Sequence, residues 1–319
     1  MDKFVQISDH FIEDNTQFIE LIDHIQEAFF SKKTNAPLRH HHDFSNPKVG
    51  VDTTLLLMPA WNPSENAGVK IVTVNPENTQ FSLPSIQGIY IYLDATKGTI
   101  KAILEAKSLT AKRTAAASAL AASFLSRKDA SSLLMIGTGA LSTNLIKAHA
   151  SVRPITQVYI WGRNFEKAKA LAEILKDENF TVTPIQTIEE KIKEVSIISC
   201  ATLSKVPLVL GKYIQPGQHI DLVGAYKKDM READNEAISR ASVFVDTYEG
   251  GLKESGDIVI PLQEGILKES DIKADLFELC ALTKKGRTSK EEITLFKSVG
   301  HAIEDLAAAT YYYKKYTNV

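Results

Sequence analysis

Cysteine is scarce. Cys200 and Cys280 are the only two in 319 residues, too few for a disulfide framework or a four-thiolate zinc site, so a reducing cytoplasm is the expected compartment and no metal is expected. An excess of charge of one sign is also missing, since 37 Lys and Arg stand against 39 Asp and Glu for a formal net charge of -2. Without a basic field nothing holds nucleic acid or an anionic membrane at long range, and neither is expected as a partner. Long apolar runs are absent too. The candidates are short segments such as Val195 to Ala201, well below the roughly 18 residues that a membrane helix requires, and no signal peptide is expected at the start. What is present is 44% apolar side chains and 24% charged ones in mixed order, enough for two ordinary cores or one large one in a globular protein.

The first 30 residues read as a short strand, Phe4 to Ile7, and a helix whose apolar positions Phe18, Ile19, Leu21, Ile22, Ile25 and Phe29 follow a 3.6-residue period. Asp14 or Asn15 is its expected cap. Between Val51 and Glu105 the texture changes to short runs, VDTTLLLM, GVKIVTV, GIYIYL and TIKAILE, separated by Asn-Pro, Pro-Ser and Lys-Gly. These predict an antiparallel sheet with short connections. TAKRTAAASALAASFL then predicts a long alanine-rich helix, after which strands alternate with helices: Leu133 to Ile136, Val158 to Trp161, Thr181 to Thr183, Val195 to Cys200, His219 to Val223, Val243 to Val245 and Ile293 to Phe296. Apolar runs without strict alternation, separated by helical stretches, indicate a parallel sheet covered on both faces. The fold class is therefore α/β, a doubly wound parallel sheet plus a second α+β domain. The boundary falls near residue 112, and the last helix, Ala302 to about Tyr313, returns to the first domain. Residues 1–112 with 301–319 form one expected domain and 113–300 the other.

Between the first of these parallel strands and the helix after it lies Gly137-Thr138-Gly139-Ala140-Leu141-Ser142, the context a Rossmann-type dinucleotide site needs. The first glycine allows the tight turn, and the second lets backbone N–H groups approach a pyrophosphate at the helix start. Two glycines can also serve a strand-to-helix turn for steric reasons alone; the strands that follow favour the cofactor. At the end of the next strand an NAD site usually carries an acid for the ribose 2′-hydroxyl. Here Trp161-Gly162-Arg163-Asn164 stands instead. An arginine can pair with a 2′-phosphate, so NADP(H) is the expected cofactor and NAD(H) the second choice, although Arg163 could equally be a solvated helix-start residue. Thr202, at the carboxyl end of its strand, is placed for the cofactor as well.

Several segments together resemble the ornithine cyclodeaminase/mu-crystallin family: LMPAW at Leu57 to Trp61, GVKIVTVNPEN at Gly68 to Asn78, LTAKRTAAASALAA at Leu109 to Ala122, the GTGALS turn, HIDLVGA at His219 to Ala225, and GRTSKEEITLFKSVGHAIEDLAAA at Gly286 to Ala309. The resemblance implies a substrate and dimerisation domain built from the N-terminal part plus the last helix, a Rossmann NAD(P) domain between them, and a homodimer. It implies that Arg39 of APLRHHH, Lys70 and Arg113 hold a carboxylate-bearing imino or amino acid. It also implies that Val223, Gly224 and Ser298 line the cofactor, and that Val299 and Gly300 line the substrate. An arginine fork suits a carboxylate, and a buried lysine can move a proton near neutral pH. By residue type alone Arg39 would be a loop residue and Arg113 a helix-start residue, both facing water; Lys70, isolated in an apolar strand, must face solvent or have a purpose.

The cyclodeaminase members carry an acid where this chain has Tyr226, followed by Lys227 and Lys228; the nearest acids, Asp221 and Asp229, lie within the strand and beyond the turn. The expectation moves to the reductase side of the family: an NADP(H)-preferring reductase of cyclic ketimine carboxylates. The alternatives are an ornithine cyclodeaminase with bound NAD and a crystallin-like ligand-binding protein without turnover. His40, His41 and His42, in an extended loop, point in different directions and lack a metal-binding partner motif. His219 and His301 read as core or helix-start residues, and Cys200 as a small hydrophobe.

Overall fold

In a computed structural model that describes residues 4–318, the β-rich runs of the first part form a six-stranded sheet in the order Val5–Ile7, Ile100–Glu105, Ile86–Asp94, Asn66–Val74, Thr53–Asn62, His40–Phe44. Its last five strands are an antiparallel meander, while Val5–Ile7 pairs parallel to Ile100–Glu105. The helix Phe18–Ser31 buries Leu21, Ile22, Ile25 and Phe29, the stripe that its period predicts. Against it and against four of the strands lies the terminal helix Ala302–Thr317, fastened by the Thr16 and Tyr312 hydroxyls at 2.8 Å.

Two local expectations change here. Asp14 and Asn15 do not cap the helix Phe18–Ser31: the Ser8 hydroxyl captures a separate short helix, Asp9–Asp14, and Phe18–Ser31 begins after Gln17 with no side-chain cap. The histidines are not in a loop. His40–Phe44 is a fully exposed edge strand paired with Thr53–Leu57; its polar composition hid it, because an edge strand with no buried face has no apolar alternation to read.

The residues up to Arg113 and from His301 onward make up one compact unit, and Thr114–Gly300 the other. The second holds eight parallel strands in the order Ala274–Asp275, Ser242–Val245, Thr294–Lys297, His219–Leu222, Ile197–Cys200, Ser132–Ile136, Gln157–Trp161, Thr181–Pro184. Sequence order reverses between Ser132–Ile136 and Ile197–Cys200, the switch point at which open α/β sheets of this Rossmann type bind ligands beyond the carboxyl ends of their strands. Leu133 to Ile136 and Ile197 to Cys200 are wholly buried, as a sheet covered on both faces demands. The second half of the helix Ala106–Leu125 is mostly small and apolar, with Ala115, Ala116, Ala119, Leu120 and Ala122 all buried, which suits a helix segment packed on several sides. The two-residue strand Ala274–Asp275 is too short to announce itself by pattern.

Candidate active site

Lys70 sits inside the strand Asn66–Val74, 2% exposed. Its Nζ donates to Asp305 Oδ1 at 2.8 Å; the same oxygen accepts from Arg113 Nε at 2.8 Å, and Arg113 Nη1 donates to Glu304 Oε2 at 2.7 Å. Arg113 is not a helix-start residue in water. Its helix begins at Ala106, about two turns earlier, and its side chain is buried with both acids on it. Arg39 is half-buried immediately before the strand His40–Phe44, and its charge acts on both Lys70 and Asp305. Lys70, Arg113 and Arg39 thus all act on Asp305, a concentration of cations that suits an anionic ligand. Burial and the Arg113 charge lower the Lys70 pKa to about 8 against the opposing pull of Asp305. Burial works against ionised Asp305, yet Lys70 and Arg113 hold its carboxyl below the usual range. Opposite Lys70 in the register is Tyr90, whose hydroxyl leaves room only for a glycine at Gly68, where a Cβ would approach it to 2.3 Å.

Glu304 and Asp305 were absent from the sequence-derived set. The signal was the one that marked Lys70: charges set in an otherwise apolar stretch, here AIEDLAAA.

In the second unit the loops of interest follow the ends of neighbouring parallel strands, so parallel topology brings them to one edge of the sheet. Gly137 has φ +123°, and a Cβ there would meet the Ala201 carbonyl at 2.6 Å, so the turn requires glycine. Ser142 is buried and donates to the Gly137 carbonyl at 3.0 Å, which makes it a fastener of the turn. Gly139 and Ala140 are exposed, Thr138 and Leu141 half-buried, and the space beside Gly139 is open. The helix Ser142–Val152 starts after Leu141 with no side-chain cap. Uncapped N–H groups and the positive helix end beneath an open glycine turn fit a dinucleotide pyrophosphate. Gly162 lies against Thr138, where a Cβ would come within 2.7 Å of the threonine methyl. Arg163 is exposed, and Asn164 caps the helix Phe165–Ile174 with its side-chain oxygen.

The remaining loops are tied by buried acids. Thr202 donates its N–H and hydroxyl to Glu232 Oε1 at 2.7 and 2.9 Å, and Gly224 its N–H to Glu232 Oε2 at 2.7 Å. Val223, buried, continues the sheet with an N–H bond to the Cys200 carbonyl at 2.9 Å. Ser298 Oγ, Val299 N–H and Gly300 N–H all reach Asp246 Oδ2, at 3.3, 2.7 and 2.7 Å. The N–H groups of Val299 and Gly300 are thus committed to the protein.

Neither acid near Tyr226 replaces it. Asp221 is buried, taking the Ser199 hydroxyl at 2.7 Å and facing His149 at 3.1 Å, and Asp229 is an exposed partner of Lys205. His219 is a buried core residue bonded to Thr294, its pKa pushed down to about 3 by burial, and His301 caps the terminal helix. Cys200 is buried, and burial raises its thiol pKa. No described helix is long and apolar enough to cross a membrane.

With this geometry in place, residues 2–318 match the sequence profile of the Ornithine cyclodeaminase/mu-crystallin family. The chain belongs to that family. Among relatives in it, the Δ1-pyrroline-2-carboxylate reductase of Colwellia psychrerythraea is 36% identical over 309 residues, 95% of this chain and 96% of its own. The structure of Thermococcus litoralis Δ1-pyrroline-2-carboxylate reductase in complex with NADH and L-proline aligns over 99% of this chain and 98% of its own, at 35% identity and a TM-score of 0.92. An archaeal alanine dehydrogenase dimer with bound NAD aligns over 99% and 97%, at 28% identity and a TM-score of 0.90.

Proposed function

We propose that this family member is a reductase of cyclic ketimine carboxylates, converting Δ1-pyrroline-2-carboxylate or Δ1-piperideine-2-carboxylate to L-proline or L-pipecolate with NADP(H) preferred over NAD(H). The chain is a nicotinamide-dependent oxidoreductase acting on C=N bonds. The observation that carries this reading is the buried Lys70–Asp305–Arg113 group, in which a lysine and an arginine share one carboxylate oxygen, together with reductase relatives that span nearly the whole chain.

Arg113 is fixed by acids at Nε and Nη1. With Arg39 it takes the substrate carboxylate and sets the ring's orientation. Lys70, protonated at neutral pH and held by Asp305, gives its proton to the ketimine nitrogen. A nicotinamide held there would supply the hydride for the C=N carbon, which with the proton from Lys70 would reduce the bond to CH–NH. Lys70 then recovers a proton from water. Gly137 to Ser142 would hold the pyrophosphate, Arg163 the 2′-phosphate, and Gly162, Asn164, Thr202, Val223, Gly224 and Ser298 the walls around the cofactor; Val299 and Gly300 shape the substrate side. Tyr226 in place of an acid supports reduction over loss of ammonia from ornithine, which needs a further acid/base group.

The first unit presents a bare edge strand and exposed Phe44, Trp61, Phe81, Ile86 and Ile89. Such a surface calls for cover, and a two-fold homodimer is the proposed cover; light scattering at micromolar concentration that finds a monomer refutes it. Two free, buried cysteines suit the cytoplasm.

The deciding experiment measures NADPH and NADH consumption against cyclic imines, pyruvate plus ammonia, and ornithine. Oxidation with the ketimine carboxylates is expected. Ammonia release from ornithine without net cofactor consumption overturns the assignment in favour of a cyclodeaminase, and no turnover with any substrate favours a binding protein.

A further inference from the structure

The ladder between the strands Ile197–Cys200 and His219–Leu222 reaches its last backbone bond at Val223 N–H to Cys200 O. Beyond it a single buried carboxylate takes over. Glu232 Oε1 receives the N–H and hydroxyl of Thr202, and Oε2 receives the N–H groups of Gly224 and Ala225 at 2.7 and 3.2 Å. The two loops touch: a Cβ at Gly224 would lie 2.0 Å from the Thr202 carbonyl oxygen and 2.1 Å from its nitrogen. Behind Glu232, Asp257 Oδ1 receives the N–H groups of Glu232 and Ala233 at 2.7 and 3.1 Å. Lys297, the last residue of the next strand, places Nζ 3.0 Å from Asp257 Oδ2 and 3.8 Å from Glu232 Oε2. All three charged side chains are wholly buried, and three adjacent strand ends are thereby joined through one carboxylate–ammonium–carboxylate group.

A buried group of two acids and one lysine is a poor source of stability, since desolvation consumes much of its Coulombic gain. Its distinctive effect is geometric, because it fixes backbone donors of two loops relative to each other at a ligand-binding edge. We propose that Glu232 is a positioning residue, backed by Asp257 and Lys297, that sets the spacing of Thr202 and Gly224–Ala225 for the nicotinamide half of the dinucleotide, while the Gly137–Ser142 turn and Arg163 serve the adenosine half independently. This rests on the cofactor reading given above.

The test uses Glu232→Gln in the full chain. Its amide retains one acceptor oxygen but turns an NH2 group toward one of the two loops. Binding of NADPH and of 2′-phospho-ADP-ribose, which lacks the nicotinamide, is measured by calorimetry beside kcat and KM for a cyclic ketimine. The expected result is a split: the fragment binds within two-fold of wild type, while NADPH affinity and kcat each fall by about ten-fold, the order of one charge-assisted hydrogen bond lost. Should Glu232→Gln fail to fold, Thr202→Val removes one donor and keeps the buried charges, and the same split is expected at about three-fold, a neutral hydrogen bond being worth less. Glu232→Asp, shorter by one methylene and able to reach one loop only, is expected to show the split rather than rescue it. Equal losses for fragment and dinucleotide, or no loss, overturn the positioning role while leaving the cofactor reading intact. Wild-type protein that binds neither ligand overturns both.

Discussion

The two units prepare for ligands by opposite means. In the first, the proposed chemistry rests on side chains: Lys70, Arg113 and Arg39 are the groups proposed to meet the substrate, and Asp305 and Glu304 hold Lys70 and Arg113 in place. In the second, the backbone carries it. Gly137, Gly162 and Gly224 sit where a Cβ would strike a neighbour, and buried acids fasten the loops. The difference teaches where a substitution is felt. A change at the first site removes a reacting or anchoring group outright, whereas most side-chain changes at the second act through the shape of a loop. The first site is therefore the place where single substitutions have the largest effects.

Lys70→Met gives the sharpest test of that claim. It keeps length and apolar bulk but loses the proton, and kcat for ketimine reduction is expected to fall by roughly 10²- to 10⁴-fold, the usual worth of a general acid. Unchanged turnover removes the lysine from the mechanism. The pH profile of the wild-type enzyme carries the same information. Because the reductive direction needs protonated Lys70, whose pKa lies at about 8, kcat is expected to fall as pH rises through that value. Asp305 raises the lysine pKa, so Asp305→Asn is expected to move the break to lower pH. Stability runs the other way. Between about 8 and the ordinary lysine value the unfolded chain binds more protons at this position than the folded one, so the contribution of Lys70 to stability grows with pH across that window. A wild-type melting temperature that does not gain on Lys70→Met across it contradicts the assigned shift.

Arg113→Lys comes next. It retains the charge but cannot reproduce a planar fork anchored on two carboxylates while facing a third. The loss of fixed geometry is expected to lower kcat/KM by about 10- to 100-fold, equivalent to about one charge-assisted hydrogen bond. Normal turnover in that variant returns Arg113 to a structural ion pair.

The same contrast explains what could be read in the chain. Apolar runs without strict alternation announced the parallel strands, and Gly137 to Ser142 announced its turn, because each is local: a short run or a short motif. Lys70 was legible as a charge among apolar neighbours. Asp305 lies 235 residues from Lys70 and 192 from Arg113, and no pattern along the chain ties a helix acid to a strand lysine across that distance. Glu232 and Asp246 stayed hidden for a further reason. Their partners are chiefly backbone N–H groups, which every residue has, so no side-chain complementarity pointed to them. His40–Phe44 was missed because an exposed edge strand shows no buried alternation.

Arg163→Ala should have the smallest effect on turnover and marks the limit of the contrast, since it is the one exposed side chain on the second unit given a direct ligand role. Its half of the argument is an absence: from Trp161 to Asn164 there is no acid to accept from a ribose 2′-hydroxyl, and the Asn164 side-chain oxygen is already spent on the N–H groups of Glu166 and Lys167. Its other half is the exposed guanidinium at the end of the strand Gln157–Trp161, free of the acids that pin Arg113. If it meets a 2′-phosphate, removing it costs NADPH binding about 1.5 to 3 kcal/mol, one charged hydrogen bond, with NADH binding little changed and ketimine turnover at saturating cofactor preserved. The NADPH interaction should also weaken with salt more steeply in the wild type than in the variant, as a solvent-facing ion pair does. Equal losses for the two nucleotides would return Arg163 to the solvated helix start and leave the cofactor preference to the backbone alone.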